Sequence, residues 1–147
     1  TFTVASLDND GYLPSPEYVT VMEMKGVGIS IGTRLIAEIG DPRRFHSAKA
    51  LIAYAGIDAP PYQSGRFTGT ERHMSKRGSR IMRKLGFELM NTINTHQKSY
   101  AGDPVCEYFL AKRAEGKMCR VAMFAAYNKF LRIYHSRVSN VLNESVK

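Results

Sequence analysis

The sequence predicts a mainly α-helical domain carrying one irregular basic insertion. Three observations predict it. Apolar residues recur at helical spacing in six separate segments. Most of those segments are bracketed by residues that start or stop helices. One stretch, from Ile57 to about Lys76, has no helical period and holds Pro60, Pro61, Gly65 and Gly69. It reads as a long loop or an irregular hairpin, and loops of that length within a compact domain are uncommon and often functional.

The elements follow in order. Ser15 is a candidate N-cap, with Pro16 at the first helical position and Glu17 in the first turn. Tyr18, Val21 and Met22 form the apolar side of this first helix. Lys25-Gly26-Val27-Gly28 interrupts the pattern. A second short helix carries Ile31, Leu35, Ile36 and Ile39, and Gly40 ends it. "DPRRF" is a turn. Ser47 caps a third helix, "AKALIAYA", which Gly56 closes. After the irregular stretch, Ile81, Leu85, Leu89 and Ile93 fall four apart, giving a long helix from about Ser79 to His96. "SYAGDP" breaks it, and a short helix follows around "VCEYFLAKRAEG". A last helix runs from about Met118 to Leu142, with Val121, Phe124, Leu131, Tyr134 and Val138 as its expected core stripe. Residues 1–15 read as a linker or cut end. Residues 16–147 read as one domain: a helix-hairpin-helix at 16–40, a basic loop at 57–78 and a helical remainder at 79–147.

Composition narrows the function. Lys and Arg number 21 against 13 Asp and Glu, a formal charge of +8, which favours polyanionic partners. Cys106 and Cys119 match no zinc spacing and are too few for a disulfide framework. His46, His73, His96 and His135 are scattered without metal-ligand spacing, so no metal site is expected in this chain. No apolar run is long enough to span a membrane, and "TFTVASLDNDGYLPSP" lacks the pattern of a signal peptide.

Two helices joined by Gly-apolar-Gly make a helix-hairpin-helix. The glycines let the backbone take positive φ and approach another surface closely. The next helix begins there, so its unpaired N–H groups and positive dipole end suit a phosphate oxygen. Lys25 and Arg34 can add charge, Val27 is expected to turn inward, and Gly26 and Gly28 are candidate backbone contacts. Such contacts position a protein on nucleic acid without reading sequence. The plainer reading is a helix–helix turn that needs a glycine.

The second constellation lies within "PYQSGRFTGTERHMSKRGSRIMRK". From Arg66 to Lys84 it carries Arg66, Arg72, Lys76, Arg77, Arg80, Arg83 and Lys84 against one acid, Glu71. That is +6 in nineteen residues, most of the chain's charge. Lys76, Arg77, Arg80 and Lys84 can share one side of a helix start, where clustered cations suit a phosphodiester backbone. A charge run is otherwise a solvated face. Ser64, followed by Gly65, heads the cluster. Its hydroxyl is either a phosphate ligand or a nucleophile toward phosphorus. Ser75 and Ser79 read as helix caps, and His73 as an exposed loop histidine with no catalytic job, orientation of a proton near Ser64 being the alternative.

Four blocks, "KGVGISIGTRLIAEIGDPRRFHSAKALIAYAGI", "PPYQSG", "MSKRGSRIMRKLGF" and "GDPVCEYFLAKRAEGKMCRVAMFAAYNKFLRIY", resemble in order the C-terminal domain of insertion-sequence transposases of the IS116/IS110/IS902 group, which are related to Piv-type DNA invertases. The resemblance covers roughly residues 18 to 137. It implies that Ser64 is the serine that attacks the DNA backbone to form a phosphoserine link. It implies a partner domain, RuvC-like, whose acidic tetrad binds magnesium; the acids of this chain form no such motif. It further implies a DNA partner, oligomeric action, guidance by a structured RNA, and a bacterial cytoplasmic location at the nucleoid. Two function classes follow. One is the DNA-binding, serine-bearing half of a composite recombinase site, inactive alone. The other is a non-catalytic helix-hairpin-helix module that binds duplex DNA or structured RNA.

Overall fold

The computed structural model describes residues 15–59 and 73–146, together with the backbone of two short strands. The mainly α expectation holds. In order the elements are α1 (Pro16–Met22), α2 (Ile29–Ile39), a single 3-10 turn (Pro42–Arg44), α3 (Ala48–Ala55), β1 (Gln63–Ser64), β2 (Phe67–Thr68), α4 (Arg80–Thr95), α5 (Pro104–Ala114) and α6 (Cys119–Ser145). The strands pair antiparallel, Gln63 with Thr68 and Ser64 with Phe67, so the irregular stretch does contain a short hairpin. The proposed linker at the start of the chain lies outside the described residues, apart from Ser15.

Local chemistry sets most of the boundaries. The Ser15 side chain accepts from the Tyr18 N–H, with Pro16 in the first helical position. Ser47 accepts from the Ala50 N–H to start α3, and Gly56 ends it at φ 71. Ser79 accepts from the Met82 N–H to start α4. At α5, Asp103 accepts from the N–H groups of Val105 and Cys106. Each cap satisfies backbone donors that a helix start leaves open.

α6 is the spine. It packs against α1, α3, α4 and α5, while α2 packs against α1 and α4. Tyr127, Phe130, Leu131, Tyr134 and Val138 of α6 are buried against Met82, Leu85, Leu89 and Ile93 of α4, Leu51 of α3 and Phe109 of α5. α4 comes close to α6 because Gly86 lies under the Tyr127 ring, where a Cβ would sit 2.3 Å from the ring carbons. The Tyr127 hydroxyl donates to the Met82 carbonyl at 2.9 Å. Burial raises the Tyr127 pKa, which keeps the phenol a neutral donor.

Two expected core residues face outward. Ile81 is 51% exposed and Val121 is 53% exposed. For Ile81 the cause is the ladder itself: a step of four residues overshoots one helical turn by about 40°, so a strict four-residue ladder drifts off the buried face. Met82 and Ala122, one place along, are buried instead.

Candidate nucleic-acid interface

The turn between α1 and α2 closes with the Val27 N–H donating to the Met24 carbonyl at 3.2 Å. Val27 is buried, as expected, and Lys25 is exposed. The two glycines do different things. Gly26 has φ 85, and a Cβ there would lie 2.7 Å from Ile93 Cγ1 and 3.1 Å from Leu89 Cδ1. Its positive φ and close approach serve the packing of the turn on α4. Gly28 has φ −94 and ψ 175, extended backbone that any residue adopts. A Cβ there would meet nothing within 4 Å. The expectation of positive φ therefore holds for Gly26 and is corrected for Gly28. Gly28 is instead the N-cap of α2 and supplies no side chain to its first N–H groups. Ile29 beside it is 68% exposed. A third glycine went unnoticed in the sequence: at Gly32 a Cβ would sit 2.8 Å from Met22 Sδ and 3.1 Å from Val27 Cγ1, so its absence lets α2 close on the end of α1.

Arg34 is a strut between helices. Its Nη1 lies 2.8 Å from Glu88 Oε2 on α4. Lys84 Nζ approaches the other oxygen of the same carboxylate at 4.0 Å. Both cations were expected at the interface, and both draw on one acid.

The basic segment before α4 is tied to the end of α3. The Ser75 N–H donates to the Asp58 carbonyl at 2.8 Å, the Lys76 N–H to the Gly56 carbonyl at 3.0 Å, and the Ser79 N–H to the Tyr54 carbonyl at 2.7 Å. Lys76 holds φ 53, a left-handed conformation uncommon for a residue with a side chain. Gly78 is pressed between Tyr54 and Gly56, where a Cβ would meet the Tyr54 carbonyl oxygen at 2.0 Å. Arg83 closes the crossing by donating to the carbonyls of Ala55 at 3.3 Å and Gly78 at 3.0 Å. It neutralises the end of α3 and is half-buried. Lys76, Arg77 and Arg80 are exposed. Lys76 and Arg77 precede the helix, so of the four cations expected on one helix side only Arg80 and Lys84 are helical.

Ser79 is a helix cap, as expected, and its hydroxyl also donates to Glu38 Oε1. The Tyr54 hydroxyl donates to the same oxygen at 3.2 Å. Ser75 caps no helix. Its hydroxyl donates to Asp58 Oδ1 and accepts weakly from the Arg77 N–H at 3.4 Å, fixing the bend rather than a helix start. Ser64 is the last residue of β1, at the closed end of the hairpin. Its side chain, with Arg66 and Arg72, lies outside the described residues.

A groove of about 1190 Å³ runs beside these elements. Ile57, Met74, Val121 and Phe124 form an apolar wall, and Lys76, Arg120, Lys129 and Arg132 supply charge. Ala59 and His73, which flank the segment holding Ser64, line it too. No acid is among the described lining residues. Arg120, Lys129 and Arg132 were missed in the sequence because they are spread along a mixed helix. Their signal was the company of Val121, Phe124 and Asn128 on one side of it.

Neither cysteine is disulfide-bonded, and burial raises the Cys106 thiol pKa, making it a poor nucleophile. Among the described residues no three His, Cys, Asp or Glu side chains gather as a metal site requires. The described residues therefore offer no ligand set of their own for a magnesium ion. No described helix is long and apolar enough to cross a membrane.

The chain is thus a helical domain with an uncapped helix start at α2 beside an exposed lysine. The transposase IS116/IS110/IS902 family matches residues 19–103, from α1 to the turn before α5, and the chain belongs to that family. It is 28% identical over 114 residues to the insertion element IS900 uncharacterized 42 kDa protein of Mycobacterium paratuberculosis, covering 77% of this chain and 27% of that protein. It is 30% identical over 105 residues to the insertion element IS116 uncharacterized 44.8 kDa protein of Streptomyces clavuligerus, covering 71% of this chain and 25% of that protein. The chain thus matches about a quarter of the length of each relative.

Proposed function

We propose that this chain is the DNA-binding, serine-bearing portion of a transposase and supplies one half of a composite active site. The observation that carries the reading is the family match over residues 19–103, a span that includes the hairpin turn, the Ser64 hairpin and the basic start of α4. The geometry supports it. The start of α2 offers backbone N–H groups with no capping side chain, and Lys25 is exposed on the turn before it. Lys76, Arg77 and Arg80 are exposed on the segment that follows the serine hairpin. These groups suit phosphate oxygens and would position the backbone without reading bases.

In this reading the Ser64 Oγ attacks phosphorus, the bond from phosphorus to a deoxyribose oxygen breaks, and a phosphoserine link and a strand-end hydroxyl result. The serine proton must pass to a base, and a hydroxyl alone is a poor nucleophile. A divalent metal held by a partner domain would neutralise phosphate charge and activate the attack. The chain by itself is therefore expected to bind DNA and not to cut it.

The test is a denaturing gel of the full-length protein, with magnesium, on a substrate that traps a covalent protein–DNA species. Ser64→Ala should abolish the adduct and strand transfer while leaving DNA affinity nearly unchanged. An adduct that persists in Ser64→Ala moves the nucleophile elsewhere. Joining that survives the substitution reduces the chain to a non-catalytic binding module for duplex DNA or structured RNA.

A further inference from the structure

We infer that the groove beside α6 takes unpaired nucleotides, a single nucleic-acid strand running to or from the serine hairpin. This rests on the reading of the chain as a nucleic-acid-binding part of a transposase and adds a second, separate surface to it.

Charge comes first. Lys76, Arg120, Lys129 and Arg132 line the groove with no acid among its described lining residues. Three of them are held in place by neutral groups. Lys129 Nζ lies 5.1 Å from the Tyr108 ring centre, the Arg120 guanidinium 5.7 Å from that of Phe87, and Arg132 Nε donates to Asn128 Oδ1 at 3.0 Å. Rings and amides orient a cation without cancelling its charge. Arg34 is different, because Glu88 answers it directly.

The wall comes second. Ile57, Met74, Val121 and Phe124 are apolar, and Val121 is 53% exposed. A duplex presents phosphates and sugars to such a surface and would leave the apolar wall bare. Unpaired nucleotides carry an apolar base face beside every phosphate, and strand-binding grooves pair a cationic track with surfaces on which bases lie. A groove with both chemistries matches that polymer.

Position comes third. Ala59 and His73 line the groove and bracket the segment that contains Ser64. A strand lying there passes both ends of the serine hairpin's segment.

The experiment uses the 147-residue chain and two fluorescein-labelled probes, a 12-nucleotide oligothymidine and a 12-base-pair duplex, by anisotropy across a salt series. For Arg120→Ala/Lys129→Ala the expected result is about a tenfold loss of affinity for the single strand. The slope of log affinity against log salt should fall in magnitude by roughly 1.4, two phosphate contacts at about 0.7 each. Duplex affinity should stay within about twofold. Val121→Asp, which places an acid on the exposed wall, should weaken the single strand in the same selective way. Circular dichroism melting establishes that the variants remain folded. Equal losses on both probes, or no loss on the single strand, overturn the proposal. So does a change in sedimentation with unchanged oligonucleotide affinity, which would make the groove a contact between protein copies. Duplex binding that depends on Lys25, with no groove-dependent strand binding, overturns this inference alone. Binding of neither probe by the parent chain overturns the broader reading as well.

Discussion

The starts of α2 and α4 are built from similar sequence, glycine and cations leading into an amphipathic helix, and the fold finishes them in opposite ways. At α4 the protein supplies the ligand itself. Ser79 takes the Met82 N–H, and Glu38 places a carboxylate against Ser79 with help from Tyr54. At α2 the cap is Gly28, with no side chain, beside exposed Ile29 and Lys25. A helix start is an anion site only where the fold leaves it vacant. The α2 start remains open to a phosphate. The α4 start is already answered, so under the proposed function its segment would contribute through the exposed side chains of Lys76, Arg77 and Arg80 rather than through helix N–H groups.

The largest effect is expected at the closed start. Gly78→Ala puts a Cβ 2.0 Å from the Tyr54 carbonyl oxygen and 2.5 Å from the Gly56 nitrogen, both backbone atoms held by α3. Overpacking against atoms that cannot rotate aside should cost about 3 kcal/mol or more. The measurement is the urea midpoint. A midpoint equal to the parent's would mean that the 73–79 segment is not clamped on α3, and the contrast between the two starts would fail.

Next come the glycines of the open start, which should separate. Gly26→Ala meets a positive φ and Ile93 at 2.7 Å, although that side chain can shift, so the expected loss is about 1–3 kcal/mol. Gly28→Ala meets open space at an ordinary φ and should move stability by no more than about 0.5 kcal/mol. Its informative readout is DNA affinity. If phosphate lies against the bare backbone at α2, a methyl group there weakens binding in a protein that melts normally. An unchanged affinity would leave that helix start without a ligand.

The sequence showed helix ends better than helix faces. Ser15, Ser47, Gly56 and Ser79 act on backbone groups a few residues away, so their roles are written locally. Ile81 falls off the buried face because a four-residue ladder drifts around a 3.6-residue helix, and Val121 because it lies about 100° around the helix from Val138. Gly32, Gly78 and Gly86 could not be read at all. Each is required by an atom on another element, and one chain without its contacts does not announce them. The same holds for cations. Arg34, Arg83 and Arg80 look alike in sequence, yet the first meets Glu88, the second caps α3, and the third is exposed. The groove cations stayed hidden because α6 carries them among apolar residues bound for the opposite side.

The smallest effects sharpen the comparison most, because they separate charge from structure. Lys25 is exposed on the turn, and Arg34 sits in an ion pair with Glu88 on side chains 39% and 32% exposed. If Lys25 meets a phosphate, Lys25→Ala should lower the magnitude of the salt slope on duplex DNA by about 0.9, one released counterion, with little change in melting. Arg34→Ala removes the strut instead. A partly exposed pair is worth about 0–1 kcal/mol, and Lys84, at 4.0 Å from the other Glu88 oxygen, can close on the vacated carboxylate. That move would withdraw Lys84 from any nucleic acid, so Arg34→Ala should change stability slightly and weaken binding indirectly. The double variant Arg34→Ala/Glu88→Gln distinguishes the routes. With the acid gone, Lys84 has no partner to collapse onto, and DNA affinity should return to the parent's value or better. If affinity stays low in the double variant, Arg34 itself touches the phosphate, and the open surface at α2 extends further along the helix than its first turn.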